Sequence, residues 1–168
     1  IIEFFKQRIC NVYIDLGIRS EVVDGVLASG FDNISDAYRR AQAVMNFVNH
    51  PDFAKLIAGF NRVVNLAAKA AQNTIDPALH NETQEKALYR CYLATAEKVQ
   101  QACAAHDYFA ACLNLAGLQE PIDNFFDALM VMVDDTVVRN NRLALLKNIS
   151  ELYLSLADWR QIKANEIL

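Results

Sequence analysis

The chain has 168 residues, 54% of them hydrophobic, with a formal net charge of −4 and a sequence pI of about 5.3. That length suits one domain with one core, and no run of roughly 18 apolar residues is present to span a bilayer. The charge has the wrong sign for gripping nucleic acid by phosphate neutralisation alone, so any RNA contact must come from a local face that reads bases or shape.

Helical periodicity runs from end to end. In the first segment Ile2, Phe5, Ile9, Val12 and Leu16 recur at three- and four-residue steps, predicting an inward stripe that Gly17 ends. Ser20 is placed to cap a short helix over Glu21–Ser29, with Val22, Val23, Val26 and Leu27 inward and Gly30 as its stop. A third helix is expected over Ser35–Val48, burying Ala37, Tyr38, Ala41, Val44, Met45 and Val48. His50-Pro51-Asp52 then breaks the chain, with Pro51 and Asp52 suited to the start of the next helix.

That fourth helix, over Asp52–Asn73, has two faces. Phe53, Leu56, Ile57, Phe60, Val63, Val64 and Ala67 form the apolar one, and Lys55, Arg62, Asn65 and Lys69 a polar stripe opposite. Asp76-Pro77 opens a linker containing His80, and further helices are expected over Thr83–Ala105, Asp107–Gly117 and Pro121–Val133. Asp134-Asp135-Thr136 makes a break whose acids suit the positive end of the last helix, Val137–Asp158. Asp135 and Arg139 are at salt-bridge spacing. The expectation is an all-α fold, an antiparallel helical bundle of about eight helices, in a single domain over residues 1–168.

No phosphate-cradling glycine loop, nucleophile elbow or H-E-x-x-H helix is present, and no acid, base and electrostatic stabiliser converge, so no catalytic residue is assigned. The four cysteines show no C-x-x-C pair and no histidine at zinc-finger spacing. They read as reduced structural thiols in a cytoplasmic protein, with no metal site. His50, His80 and His106 each sit at a helix junction, where solvated or capping roles are expected. Ile1 follows no basic, apolar leader, which reads as a fragment of a longer polypeptide rather than a secreted chain. Arg142 lies in line with Leu145, Leu146 and Ile149 on the inward stripe. Two readings stay open for it: a staple to Asp127, Asp134 or Asp135, or a guanidinium held at the bundle end for RNA.

Several stretches carry a family resemblance: Phe60-Asn61-Arg62-Val63-Val64-Asn65, Phe125-Phe126-Asp127, Met130-Val131-Met132 and Arg139-Asn140-Asn141-Arg142-Leu143. Glu3-Phe4-Phe5, Asp24-Gly25-Val26-Leu27-Ala28, Pro51-Asp52-Phe53, Asp76-Pro77-Ala78-Leu79 and Leu156-Ala157-Asp158 extend it over essentially the whole chain. In order and spacing they resemble the C-terminal anticodon-binding domain of bacterial glycyl-tRNA synthetase β subunits, a DALR-type helical fold shared with arginyl-tRNA synthetase. Asn61 stands where that family more often has Lys, and Gly25 where Ala is usual, a change expected to loosen its helix by ~1 kcal/mol.

The resemblance implies recognition of tRNA(Gly) within glycine–tRNA ligase, in a part that is not itself catalytic. It places ATP and magnesium on the α subunit, with no cofactor in this chain. It makes tRNA(Gly) and the α subunit the partners, with no membrane and no DNA. Arg62 and Asn65 fall on the family's Arg-x-x-Asn element, and Arg139, Asn141 and Arg142 on its final-helix element. With Lys69 these are the expected RNA-binding residues, Arg62, Asn65, Lys69 and Arg139 lining one groove for the anticodon loop. Phe125 and Phe126 are either a stacking platform or core. The alternative is a non-catalytic helical protein-interaction module, which predicts a large exposed apolar patch and no RNA binding.

Overall fold

Several helices begin where a side chain can serve the free amides of the first turn. Asn33 accepts from Asp36 N (3.0 Å), Asp107 from Ala110 N (3.0 Å), and Asp135 from Val137 N and Val138 N (2.9 and 3.1 Å). Glu85 reaches back to Glu82 N (3.0 Å). The computed structural model describes residues 2–163, and contains eight α-helices and two 3-10 turns, with no strand, among them. The helices are α1 (Ile2–Asp15), α2 (Ser20–Ala28), α3 (Ile34–Val48), α4 (Phe53–Ala67), α5 (Thr83–Ala104), α6 (Tyr108–Ala116), α7 (Gln119–Ala128) and α8 (Thr136–Leu154). Gly17 and Gly30 stop their helices as expected, at φ +92° and +111°, a conformation open to glycine at little cost.

Helix α4 organises the core. Its Leu56, Phe60 and Val63 are fully buried where α4 packs along α7 and α8, opposite a wall that includes Ile122, Leu145, Ile149 and Tyr153. Burying each such side chain stabilises the fold by about 1.5–3 kcal/mol. Gly59 permits the close approach: a Cβ there would lie 2.5 Å from the Tyr153 hydroxyl, which donates to Leu115 O (3.1 Å). Gly25 has a similar role. A Cβ on it would stand 2.9 Å from Asp158 O, and its own carbonyl accepts from Asp158 N (2.8 Å). The glycine therefore seats the last described 3-10 turn, Trp159–Gln161, against α2 rather than merely loosening a helix.

Several boundaries and faces differ from expectation. Ser20 is the first residue of α2 rather than its cap; Arg19 holds the cap position, and its guanidinium pairs with the Glu21 carboxylate of the first turn (Nε to Oε1, 3.0 Å) rather than capping a backbone amide. Helix α4 ends at Ala67, not Asn73, because α8 captures the following segment: Asn148 Nδ2 donates to Asn73 O (2.7 Å) and Asn73 Nδ2 to Glu151 (3.2 Å). Helix α7 starts at Gln119 and ends at Ala128, short of Val133, and Leu129 is extended. Guanidinium groups of α8 take the carbonyls of Met130 and Val133, so those carbonyls do not serve a continuing helix. On α3, Phe47 and Arg40 are buried while Tyr38 and Met45 are half-buried. On α1, Ile9, Cys10 and Tyr13 are buried, whereas Phe5 and Val12 of the expected stripe, and Leu16 just past the helix end, are exposed.

Candidate nucleic-acid interface

The polar side of α4 carries Arg62 and Asn65, three residues apart and both exposed. Arg62 is not a free cation. Its Nη1 lies 3.2 Å from Asp123 Oδ1 and its Nη2 3.6 Å from Asp127 Oδ1, and the guanidinium sits 5.1 Å from the centroid of the Phe126 ring. It ties α4 to α7 and is 42% exposed, so phosphate would compete with two carboxylates for it. Phe126 supplies one face to that guanidinium, and Phe125 is fully buried core. Lys69 is exposed in the turn after α4 rather than on the helix, and Lys55 is paired with Asp52 (2.7 Å).

The α8 residues divide differently. Arg139 is half-buried, donating from Nη1 to Val133 O (3.0 Å) and from Nη2 to Thr136 Oγ1 (3.4 Å). Asp135, its expected partner, caps α8 instead. Asn141 and Arg142, expected to face RNA, are buried in this structure. Asn141 is 3% exposed and clamps both backbone groups of Asp76, accepting from its N (2.7 Å) and donating to its O (3.0 Å). Arg142 is 7% exposed; its Nε donates to Glu85 and its Nη1 to Met130 O (2.6 Å). The staple expected to Asp127, Asp134 or Asp135 goes to Glu85 of α5, itself 1% exposed. A buried charge needs its partners, so neither side chain is available to a ligand in this conformation.

These residues do not gather in the larger hollows of the surface. A groove of about 620 Å³ between α5 and α7 is lined by Thr83, Gln84, Cys91, Glu120, Asn124 and Asp127 among others, and by none of the six. A smaller depression of about 230 Å³ beside the end of α4 is lined by Ala68, next in the chain to Lys69, and by Lys147, Glu151 and Arg160 among others. Lys147 recurs with Asn140 and Glu151 at seven- and four-residue steps along α8. Arg160 is held by Asp158 (2.8 and 3.0 Å), which keeps that carboxyl below its ordinary value.

Elsewhere the ionisable groups serve the fold. Arg40 is buried and donates to the carbonyls of Val26, Gly30 and Ser155; burial pulls its guanidinium below its ordinary value. Burial raises Asp36, but hydrogen bonds from Tyr108 and His106 and the charge of Arg40 outweigh it and hold the carboxyl down. His106, at φ +55°, reaches Asp36 through Nδ1 (3.0 Å), and His50 Nδ1 accepts from Asp52 N (3.1 Å), a capping role as expected. His80 is instead buried against Tyr89, and burial lowers its pKa. Among the described residues no three His, Cys, Asp or Glu cluster to hold a metal, and no helix is long and apolar enough to cross a membrane.

A sequence model described as "DALR anticodon binding domain" matches residues 56–156, from the first turn of α4 to just past α8. The chain belongs to that family. The matched stretch, α4 to α8 with the turns between them, carries all six residues singled out above. Relatives match over a longer stretch. The glycine–tRNA ligase β subunit of Desulforudis audaxviator is 42% identical over 156 residues, 93% of this chain and 23% of the relative. That of Syntrophus aciditrophicus is 38% identical, covering 96% of this chain and 24% of the relative. That of Geotalea daltonii is 34% identical over 164 residues, 98% of this chain and 24% of the relative. The DALR chain therefore spans about a quarter of the length of these curated relatives.

Proposed function

We propose that this DALR domain binds the anticodon loop of tRNA(Gly) as part of a glycine–tRNA ligase β subunit, and contributes no catalytic group to aminoacylation. The observation that carries the reading is the similarity of nearly the whole chain to glycine–tRNA ligase β subunits, with the anticodon-binding family matched over α4 to α8. In this reading ATP and magnesium act at the adenylation site of the α subunit, and the complex works in the cytoplasm.

The net charge of −4 bears on how the domain would grip RNA. Non-specific phosphate binding is weak for an acidic domain, so affinity has to come from a few placed cations and from amides that read unstacked bases. Asn65, Lys69 and Arg62 are exposed and Arg139 is half-buried, with Arg62 and Arg139 held by neighbouring groups. Rigid placement lowers the entropy lost on binding. Fluorescence anisotropy with a labelled tRNA(Gly) anticodon stem-loop, against a stem-loop of another anticodon, tests the reading in the assembled ligase. Preference for the glycine anticodon is expected. Equal affinity for both stem-loops would overturn it.

A further inference from the structure

Helix α1 carries more apolar surface than its own domain covers. Ile9, Cys10 and Tyr13 are buried, while Phe5, Val12 and Leu16, at seven- and four-residue steps, stay 55%, 54% and 58% exposed. Phe4 is 61% exposed, and Ile34 is 54% exposed across a groove whose lining includes Phe5, Ile9 and Phe31. Together these side chains present on the order of 500 Å² of apolar surface, taking roughly 150–250 Å² for each complete aromatic group. That is as large as the largest apolar patch on a typical monomeric protein, roughly 300–600 Å² and often functional. The periodicity that reads as a core stripe in the sequence is thus a real burial signal, and the DALR fold does not satisfy it.

We propose that this face of α1 is the seat of another part of the same polypeptide, the body of a glycine–tRNA ligase β subunit outside the DALR fold. The inference rests on the β-subunit reading given above. The relatives select the occupant first. A match over 98% of the chain takes in α1, yet it accounts for only 24% of that relative, so a β subunit has about three quarters of its length elsewhere. The size of the patch selects it second. A stable complex between free partners buries roughly 800 Å² on each side. A smaller face suffices between tethered domains, where the linker supplies an effective concentration in the millimolar range. The chemistry selects it third. The exposed residues are mostly aromatic and aliphatic; of the two charged residues in the groove, Arg8 lies over the Phe4 ring, 5.4 Å from its centroid, and Asp32 would repel phosphate, so the face offers a nucleic acid little.

Hydroxyl-radical footprinting of a full-length β subunit containing this chain tests the proposal, with leucines as internal standards. Leu16 is 58% exposed here, Leu93 on α5 is 49% exposed, and Leu56 is fully buried. In the β subunit alone, Leu16 is expected to react several-fold more slowly than Leu93 and close to Leu56, at every protein concentration. Phe4 and Phe5 should be protected with it. Reaction of Leu16 at the rate of Leu93 overturns the proposal. Protection that appears only as light scattering reports a doubled mass assigns the face to a second copy, and protection only on adding the α subunit assigns it to another chain; either result overturns it as well. Binding of the tRNA(Gly) anticodon stem-loop is measured on the ligase assembled from the same preparation. Binding with α1 open removes only the seat, whereas protection of α1 without binding removes the anticodon reading.

Discussion

Replacing Glu85 by Gln alters one atom of a buried side chain that three donors share. Oε2 accepts from Asn81 N and Glu82 N (both 3.0 Å) and Oε1 from Arg142 Nε, in a residue 1% exposed. A carboxamide has one oxygen, so in Glu85→Gln either the two amides or the guanidinium face an NH2 group, and the Arg142 charge loses its counter-ion. Breaking a buried pair by removing one partner costs about 3–5 kcal/mol. In a chain of this size that lowers Tm by roughly 6–20 °C, at 2–4 °C for each kcal/mol. Arg142→Met should cost a similar amount, because it leaves the carboxylate buried and also frees Met130 O. In the double variant the carboxamide oxygen at position 85 can turn to the two amides with no cation opposite. The double loss should therefore fall short of the summed single losses by about 1–3 kcal/mol. Urea unfolding followed by fluorescence of Trp159, the chain's one tryptophan and 2% exposed, measures all four corners of the cycle. Losses in the single variants below about 1 kcal/mol, or additivity within about 0.5 kcal/mol, would refute the assignment of Arg142 to the interior.

Gly59→Ala should destabilise by about 1–3 kcal/mol through overpacking against the Tyr153 hydroxyl, and adding Tyr153→Phe should restore part of that loss by removing the clashing atom. The same unfolding assay checks both. Lys69→Ala should weaken binding of the tRNA(Gly) stem-loop and lower its salt slope by about 1, whereas Asn65→Ala should weaken binding with the slope unchanged; anisotropy across a salt series separates the two outcomes. Burial holds the His80 pKa below its ordinary 6.5, so the neutral ring is favoured in the fold. Its contribution to stability is full above pH 6.5 and lost as pH falls through the depressed folded value, and His80→Phe should flatten that part of the profile of unfolding midpoint against pH. Burial also raises the Cys112 thiol, and iodoacetamide should label it only after denaturation, as mass spectrometry would show.

The fold class, the approximate number of helices, and the stops at Gly17 and Gly30 were all fixed by local physics: a 3.6-residue period, few glycines and prolines, and φ values open to glycine. The caps at Asn33, Asp107 and Asp135 are local for the same reason, since each closes on an amide two or three residues away. Motif order was enough to point to the family. Periodicity marks Arg142 as inward, but it cannot choose among acids, and the partner chosen lies 57 residues earlier, on α5. The burial of Asn141 could not be read locally because its clamp on Asp76 spans 65 residues. The early ends of α4 and α7 come from carbonyls captured by α8, a competition no local propensity encodes. Arg62 reads as a free cation until α7 brings Asp123 and Asp127 against it. Amphipathic spacing tells α1 that it has an apolar face, and only the packing of its neighbours decides which side they cover. Period and capping act within a turn or two of one helix, whereas ion-pair choice, exposure and helix ends depend on what distant chain segments bring into contact.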